Sequence, residues 1–555
     1  MSDVTEKKPA ASETAAKKTA AKKPAVSKTA VKKTAESKAV KTAKTTKATK
    51  ATKATKATKA TKATKTPKST KTTKKTAADN EKKLKLLFTV SEVDPFVTTG
   101  GMGQVVGALS KTLAENYSDI DVRVIAPLYM SVQAKWGSEM KFVGEMSVKL
   151  AWRELYCGVF ELKRDGVTFY FVDNKHYFDR ENVYGYYDDG ERFAFFSKAV
   201  FAAIELTKFT PDVVHAHDWQ TALVPIYLKT QFSDVYPNLR SVFTIHNIEY
   251  QGKFSRETLT DVFGIWEGNE GIVEYDYSIN LMKGAIVTCD KLTTVSESYA
   301  YEICHGGGYG LDVIIGENQY KLSGIINGID TDMFNPATDP ALKVNYNSET
   351  LELKVKNKAA IQKHFKLPKA TKKMLICMVS RLVSHKGFDL VTAAMEELLN
   401  LDVHFILLGT GDHDYESFFE DMASKYPDKV GVNITYNSET ANKMFAGADL
   451  VLMPSRNEPC GLVQMIACRY GTIPVVRKIG GLGDTIRDCR TGDGNGFVFE
   501  EYSAEALLET VAQAQNLYKK KKDDWKNLMR EAMEFDFSWT KSAQKYVDLY
   551  RELQE

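Results

Sequence analysis

Short apolar runs recur along this chain, each broken off by a polar residue or a glycine, and most are followed by a stretch of helical periodicity. KLLFTVSEV from Lys85, VRVIAPL (122–128), FYFVDN (169–174), DVVHAHD (212–218) and VFTIHN (242–247) form a first series. The pattern restarts with LICMVS (375–380), HFILLGTGD (404–412), VLMPS (451–455) and TIPVV (472–476). Strands covered on both faces read as continuous apolar runs, and parallel strands need a crossover between them, usually a helix. The alternation therefore predicts an α/β chain with doubly wound parallel sheets. Its restart after INGIDTDMFNP (326–336) predicts two Rossmann-like domains facing one another across a cleft. The expected division is 84–330 and 331–535, with 536–555 holding a last helix, about 541–554, able to return to the first half.

In such sheets ligands bind beyond the carboxyl ends of the strands. Asp173, His215, His217, Asp218, His246 and Asn247 stand there in the first series. One such histidine reads equally well as a satisfied core residue; three at neighbouring strand ends are harder to assign that way. DPFVTTGGMG leads into a helix with Val105, Leu109 and Leu113 on one face. Gly100, Gly101 and Gly103 there permit close backbone approach, and the helix N-terminus favours an anion. Alone this is a weak signal. In the second series Arg381 and Lys386 share one loop, suited to an anion but also to plain solvation, and Gly480–Gly481 form a further glycine turn. VLMPSRNEPCGL (451–462) packs Arg456, Glu458, Cys460 and Gly461 behind one strand, before a helix expected from Val463. A solvated loop whose Glu caps that helix is the competing reading.

The net charge of +4 averages two unlike pieces. Residues 1–80 hold 23 Lys against 5 acidic residues, with no Arg and no aromatic, which leaves the remaining 475 residues at −14. That segment is Lys/Ala/Thr-rich, with KAT repeating through 47–64 and almost nothing large and apolar to bury, so 1–83 is expected to be disordered. Its charge suits weak, sequence-blind, salt-sensitive contact with a polyanion, without base stacking or readout; a solvated tail with no partner fits equally. No apolar run reaches the length of a membrane span, and the N-terminus has no signal-like apolar region. The 7 Cys, without C-x-x-C spacing, argue against a disulfide framework or a zinc site and for a cytoplasmic location.

Taken in order, SEVDPFVTTGGMGQVVGAL, PDVVHAHDWQTALVP, TIHNIEYQG, INGIDTDMFNP, VSRLVSHKGFDL, MPSRNEPCGL and IGGLGDT resemble bacterial glycogen synthases and plant starch synthases, glycosyltransferase family 5. The resemblance runs from about Lys85 to the C-terminus. It implies the GT-B fold and transfer of glucose, with retention, from a nucleoside-diphosphate glucose to the non-reducing end of glycogen or another α-1,4-glucan primer. ADP-glucose is favoured over UDP-glucose, and no metal and no cofactor is implied. By the same resemblance Arg381 and Lys386 clamp the diphosphate. Glu458 holds the donor glucose and steadies its developing positive charge, and His217 contacts that sugar. Asp188 stands near the acceptor hydroxyl, with Asp189 one residue away as the alternative. Thr98, Gly100, Gly101, Cys460, Gly461, Leu462, Gly480, Gly481 and Leu482 line the donor, Tyr436 stacks on its base, and Asn247, Tyr250 and Gln251 line the acceptor.

Several positions depart from the family pattern: Thr98 replaces a donor-contacting Lys, and Gln104, Gln220 and Ile479 stand where Asp, His and Thr are common, whereas Ile466, a Glu in several related GT-B families, is in keeping with glycogen synthases. No carboxylate is assigned as nucleophile. Instead the resemblance implies that the acceptor arrives on the face the leaving group vacates and that the diphosphate acts as base. A thiol at Cys460 implies inactivation by alkylation, with protection by nucleotide sugar. Two other readings remain, a glucan-binding body tethered by its basic tail and a GT-B transferase with another acceptor. Retention of Arg381, Lys386 and Glu458 favours the glucan-elongating enzyme, since a mere binder has no use for a diphosphate clamp.

Overall fold

The computed structural model describes residues 83–555, so the polyanion expectation for the Lys-rich segment lies outside the described residues. Two large sheets organise the described chain. The first has nine strands, in spatial order Leu322–Gly324, Lys291–Thr294, Arg240–Ile245, Val213–His217, Leu84–Thr89, Ile120–Pro127, Val167–Asp173, Arg153–Arg164 and Lys141–Leu150. The second has six: Val430–Ile434, Val403–Gly409, Met374–Val379, Leu450–Met453, Ile473–Arg477 and Phe497–Phe499. The second sheet is parallel throughout.

The first sheet is parallel except at one edge, where Arg153–Arg164 runs antiparallel to both neighbours. This hairpin corrects the expectation of a purely parallel sheet. Its sequence hid it because the edge strand Lys141–Leu150 is mostly exposed, and so lacks the continuous apolar run of the central strands. Its tight turn at Ala151–Trp152 also uses a non-glycine residue at φ 53° instead of a Gly or Asn signal.

The central strands are buried because their runs are apolar on both faces; Leu86–Phe88 and Leu375–Met378 are examples. Helix Gly101–Asn116 buries Val105, Leu109 and Leu113, the one-face spacing of four that covers the first sheet. The chain passes between the sheets twice, and the two crossings lie side by side where Ile329 N–H donates to Phe537 O at 2.9 Å. The last helix, Thr540–Glu552, lies on the first sheet. There Tyr550 Oη is 2.8 Å from His215 Nδ1, and Arg551 meets Asp119 at 2.7 Å.

Strand order fixes where a ligand site can form. In the first sheet the winding reverses between Leu84–Thr89 and Val213–His217, in the second between Met374–Val379 and Leu450–Met453. At such reversals the loops leaving adjacent strands diverge to opposite faces and leave a crevice. The loops at these two reversals carry Glu92 and Thr98–Gly101, His217, Arg381 and Lys386, and Glu458–Leu462.

Candidate active site

In the second half, Gly387 (φ 77°) turns the Arg381–Lys386 loop back into helix Phe388–Asn400. A Cβ there would fall 2.1 Å from Pro454 O, so only glycine lets the two loops of the reversal touch. His385 O accepts Arg456 N–H at 2.8 Å. Across this contact Lys386 Nζ donates to both oxygens of Glu458, at 2.9 and 2.7 Å, and Ser455 Oγ adds a third bond at 3.1 Å. Glu458 is 5% exposed, and the ammonium compensates its buried charge. Arg381 is exposed and makes no ion pair among the described residues.

Two donor-side expectations change. The Gly480 and Gly481 N–H groups are already occupied, the first by Glu302 Oε1 at 2.8 Å and the second by the carbonyls of Glu458 and Pro459, each at 3.2 Å. The turn therefore packs the site rather than presenting free amides; a Cβ on Gly481 would lie 2.4 Å from Cys460 Cα, and Leu482 is buried beneath. Cys460 is itself buried. Burial pushes its thiol up to about 12, although Asn327 donates to the sulfur, so the thiolate an alkylating reagent needs is scarce.

In the first half, the anion at the start of helix Gly101–Asn116 is the chain's own. Glu92, in the loop after the first strand, accepts from Thr99 N–H and Oγ1, and the Gly100 and Gly103 amides also face it. Burial raises its carboxyl and these donors lower it, with burial the larger effect. The loop is held in place by Glu92 while Thr98 and Gly100 remain exposed.

The strand-end histidines separate into two roles. His215 is satisfied on both nitrogens, by Tyr550 and by Thr244 Oγ1 at 2.6 Å, and is a core residue. His217 Nδ1 lies 3.0 Å from His246 Nε2, while its own Nε2 is buried with no partner among the described residues. Burial holds His217 well below the usual imidazole range and brings His246 down to about 3, so both rings are neutral. Asp218, half-buried and raised by that burial to about 7, accepts His246 N–H at 2.7 Å and Asn247 N–H at 3.3 Å, which sets the loop carrying Asn247 and the exposed Tyr250.

Gln251 does not join the acceptor side. Its amide holds Tyr309 O at 3.1 Å and Asn280 Nδ2 at 2.8 Å, so it is a scaffold residue. Of the two aspartates opening helix Asp189–Thr207, Asp189 is tied to buried Arg192 and to Gly185 N–H, which is a structural role. Asp188 is the more open one; Arg180 meets both its oxygens at 2.6 Å and holds its carboxyl below the usual range.

The two halves close on one another around these loops. A Cβ on Gly101 would lie 3.8 Å from Leu462 Cδ1, and His385 Nδ1 is 3.7 Å from Glu249 Oε2. Ser296 Oγ donates to Pro459 O at 2.6 Å, and Ser298 N–H to Asp484 at 2.9 Å. Tyr436 is exposed on the second half. The structure thus brings together Gly101, Arg381, Lys386, Glu458, Cys460–Leu462 and Gly480–Leu482. Among the described residues no group of His, Cys, Asp and Glu could hold a metal ion.

Two family profiles match the chain, "Starch synthase catalytic domain" over residues 85–317 and "Glycosyl transferases group 1" over 360–531. A glycogen synthase of Ligilactobacillus salivarius is 45% identical over 477 residues, 85% of this chain and 100% of the relative. The chain belongs to the glycogen and starch synthase family of glycosyltransferases. A family member from Streptococcus mutans, also a glycogen synthase, is 44% identical over the same shares of both chains. Among solved structures of the family, the catalytic domain of starch synthase IV from Arabidopsis thaliana, bound to ADP and acarbose, superposes with a TM-score of 0.79. It is 32% identical, with 85% of this chain and 99% of that one covered.

Sequence reasoning missed Glu92, Glu302 and Asn327. Glu92 lies in the loop just past the first strand, and the strand-end rule that found His217 would have found it too. Asn327 lies just past the strand Leu322–Gly324 and directly before Gly328, in a motif read only as the join between domains, whereas Glu302 ends the helix Glu297–Glu302 and carries no strand-end signal.

Proposed function

We propose that this protein transfers glucose, with retention, from a nucleoside-diphosphate glucose to the non-reducing end of an α-1,4-glucan such as glycogen, and that ADP-glucose is its preferred donor. The observation that carries the reading is the pairing, at one strand-order reversal, of the free cation Arg381 with the Lys386–Glu458 pair. As the glycosidic bond breaks, negative charge grows on the diphosphate and positive charge on the sugar. Arg381 meets the first as a planar fork and Lys386 as a point charge, and Glu458 offsets the second. In this scheme the positive charge comes from side chains rather than from a metal. The unpartnered, neutral His217 Nε2 suits a sugar hydroxyl. Asp188 lies at the acceptor end, and the leaving diphosphate is the base for the acceptor hydroxyl.

The 44–45% identity to bacterial glycogen synthases supports the reaction, and the ADP held by the Arabidopsis starch synthase supports the donor. The 7 cysteines are free thiols, which fits a reducing cytoplasm. The test is nucleoside diphosphate release by purified protein given ADP-glucose or UDP-glucose, with and without glycogen. Glycogen-dependent release, faster from ADP-glucose, is expected. No release from either donor by protein that still sediments with glycogen would leave a glucan-binding body instead; faster release from UDP-glucose would reverse the donor assignment.

A further inference from the structure

On one rim of the cleft, Glu249, Tyr250 and Tyr309 of the first half face His385, Arg456 and Asn457 of the second, beside the Lys386–Glu458 pair. Both sides are firmly built. Asn247 Oδ1 accepts Glu249 N–H at 3.0 Å, and the Tyr299 hydroxyl accepts Ile248 N–H at 3.1 Å. Gln251 Nε2 donates to Tyr309 O at 3.1 Å and so joins this loop to the turn at Tyr309, whose φ is 51°. Across the cleft, His385 O accepts Arg456 N–H at 2.8 Å, which fixes His385 to the loop carrying Glu458.

One atom on this rim is left unsatisfied. Glu249 Oε2 is buried and has no hydrogen-bond partner among the described residues. Facing it across the cleft is His385 Nδ1, at 3.7 Å, too far for a hydrogen bond. A buried acceptor without a partner is costly to keep, and closing the cleft by about 1 Å would supply one. The imidazole suits that role. Burial, and then the Lys386 ammonium, hold its ring below the usual range, so the ring is neutral and a proton on Nδ1 makes that nitrogen a donor. The other charges facing the ring are Arg381 and Glu458. The two residues also sit where each substrate would act on them. His385 immediately precedes Lys386, which must leave Glu458 to meet a diphosphate, and Glu249 lies between Asn247 and Tyr250 of the acceptor loop.

We propose that His385 and Glu249 are positioning residues that join across the cleft when donor and glucan are both bound, coupling the diphosphate loop to the acceptor loop; this rests on the glucan-elongating function proposed above. Neither side chain touches a reacting atom. Each ligand moves its own loop toward the pair, so each strengthens the binding of the other by the same factor. With one ligand alone the pair stays apart.

The test compares the full chain with Glu249→Ala, His385→Leu, their combination, and His385→Gln, whose amide returns an N–H donor at similar reach. The dissociation constant of ADP is measured by calorimetry with and without maltohexaose, alongside melting temperature and the donor KM and kcat with glycogen. In the parent, maltohexaose should tighten ADP about tenfold. Either single loss should abolish that difference, the combination should lose nothing more, and His385→Gln should keep it. ADP affinity without maltohexaose and melting temperature should stay as in the parent. The donor KM with glycogen should rise about tenfold in the variants that lose the pair, with kcat changed far less. An ADP affinity in the parent that is indifferent to maltohexaose overturns the proposal. So does coupling that survives Glu249→Ala or His385→Leu, or that is lost in His385→Gln. An equal loss of ADP affinity without maltohexaose also overturns it, because that would place the residue in the donor site itself. Failure of the underlying function is distinguishable, because the parent would then release no nucleoside diphosphate from either donor, with or without glycogen.

Discussion

Replacing Lys386 with Met removes the ammonium from Glu458 and keeps the methylene stem. The two side chains retain 19% and 7% of their surface, and their contacts are 2.7 and 2.9 Å. Removing one partner of a fully buried pair costs about 3–5 kcal/mol, and an exposed pair contributes at most about 1 kcal/mol. This pair lies nearer the buried limit. Water still reaches Lys386, however, and Ser455 still donates to the orphaned carboxylate, so about 2 kcal/mol is expected. For a melting unit of about 200 residues that corresponds to a fall in Tm of about 4–8 °C. Arg381→Ala breaks no ion pair and should stay within about 0.5 kcal/mol of the parent. Both variants should lose about 10²–10³ in kcat, since both cations face the charge that develops on the diphosphate. Adding Glu458→Gln to Lys386→Met removes the uncompensated charge and should restore most of the stability and none of the turnover. Ligand-free thermal unfolding and diphosphate release measure the two effects separately. A parent-like Tm for Lys386→Met, or no recovery in the double variant, would refute the pairing. Near-normal kcat in either single variant would refute the clamp.

Cys460 should resist iodoacetamide at pH 8 in the native protein, with or without nucleotide sugar, because its thiol is buried and raised to about 12; mass spectrometry showing early labelling there would mean that the loop opens. His215, His217 and His246 should show no ring titration by NMR between pH 8 and 5, since burial lowers all three. These rings bind protons only in the unfolded chain, so their share of stability is complete above the unfolded value of 6.5. It falls below that by about 1.4 kcal/mol per pH unit and ring, and Asp218, protonated in the folded chain up to about 7, offsets one ring between about 4 and 7. A ring titrating near pH 6 would contradict the burial. Gly480→Ala should lower both Tm and turnover, because φ is 44° and the new Cβ would meet Glu458 O at 2.1 Å; a parent-like Tm would show that the turn relaxes freely.

Much of the architecture was legible because buried parallel strands write themselves as apolar runs, and because ligand sites gather where such runs end. Those two regularities led to Arg381, Lys386, Glu458 and His217. The edge hairpin escaped them, since an exposed strand carries no apolar run and its turn carries no glycine. The glycine turns misled for a different reason. A glycine states that something may approach the backbone closely, but the approaching group is chosen by distant parts of the fold. At Gly100 it is Glu92, and at Gly480 it is Glu302 from helix Glu297–Glu302 of the other half. Carboxylates of the chain thus face the Gly100 amide and occupy that of Gly480, and Glu458 occupies Lys386. If the proposed clamp operates, Arg381 is the cation that can engage the incoming diphosphate without breaking an existing bond. Lys386 must exchange carboxylate for phosphate oxygens. That difference arises from the partners and not from the residue types, and it is why substitution at the two positions should separate stability from turnover.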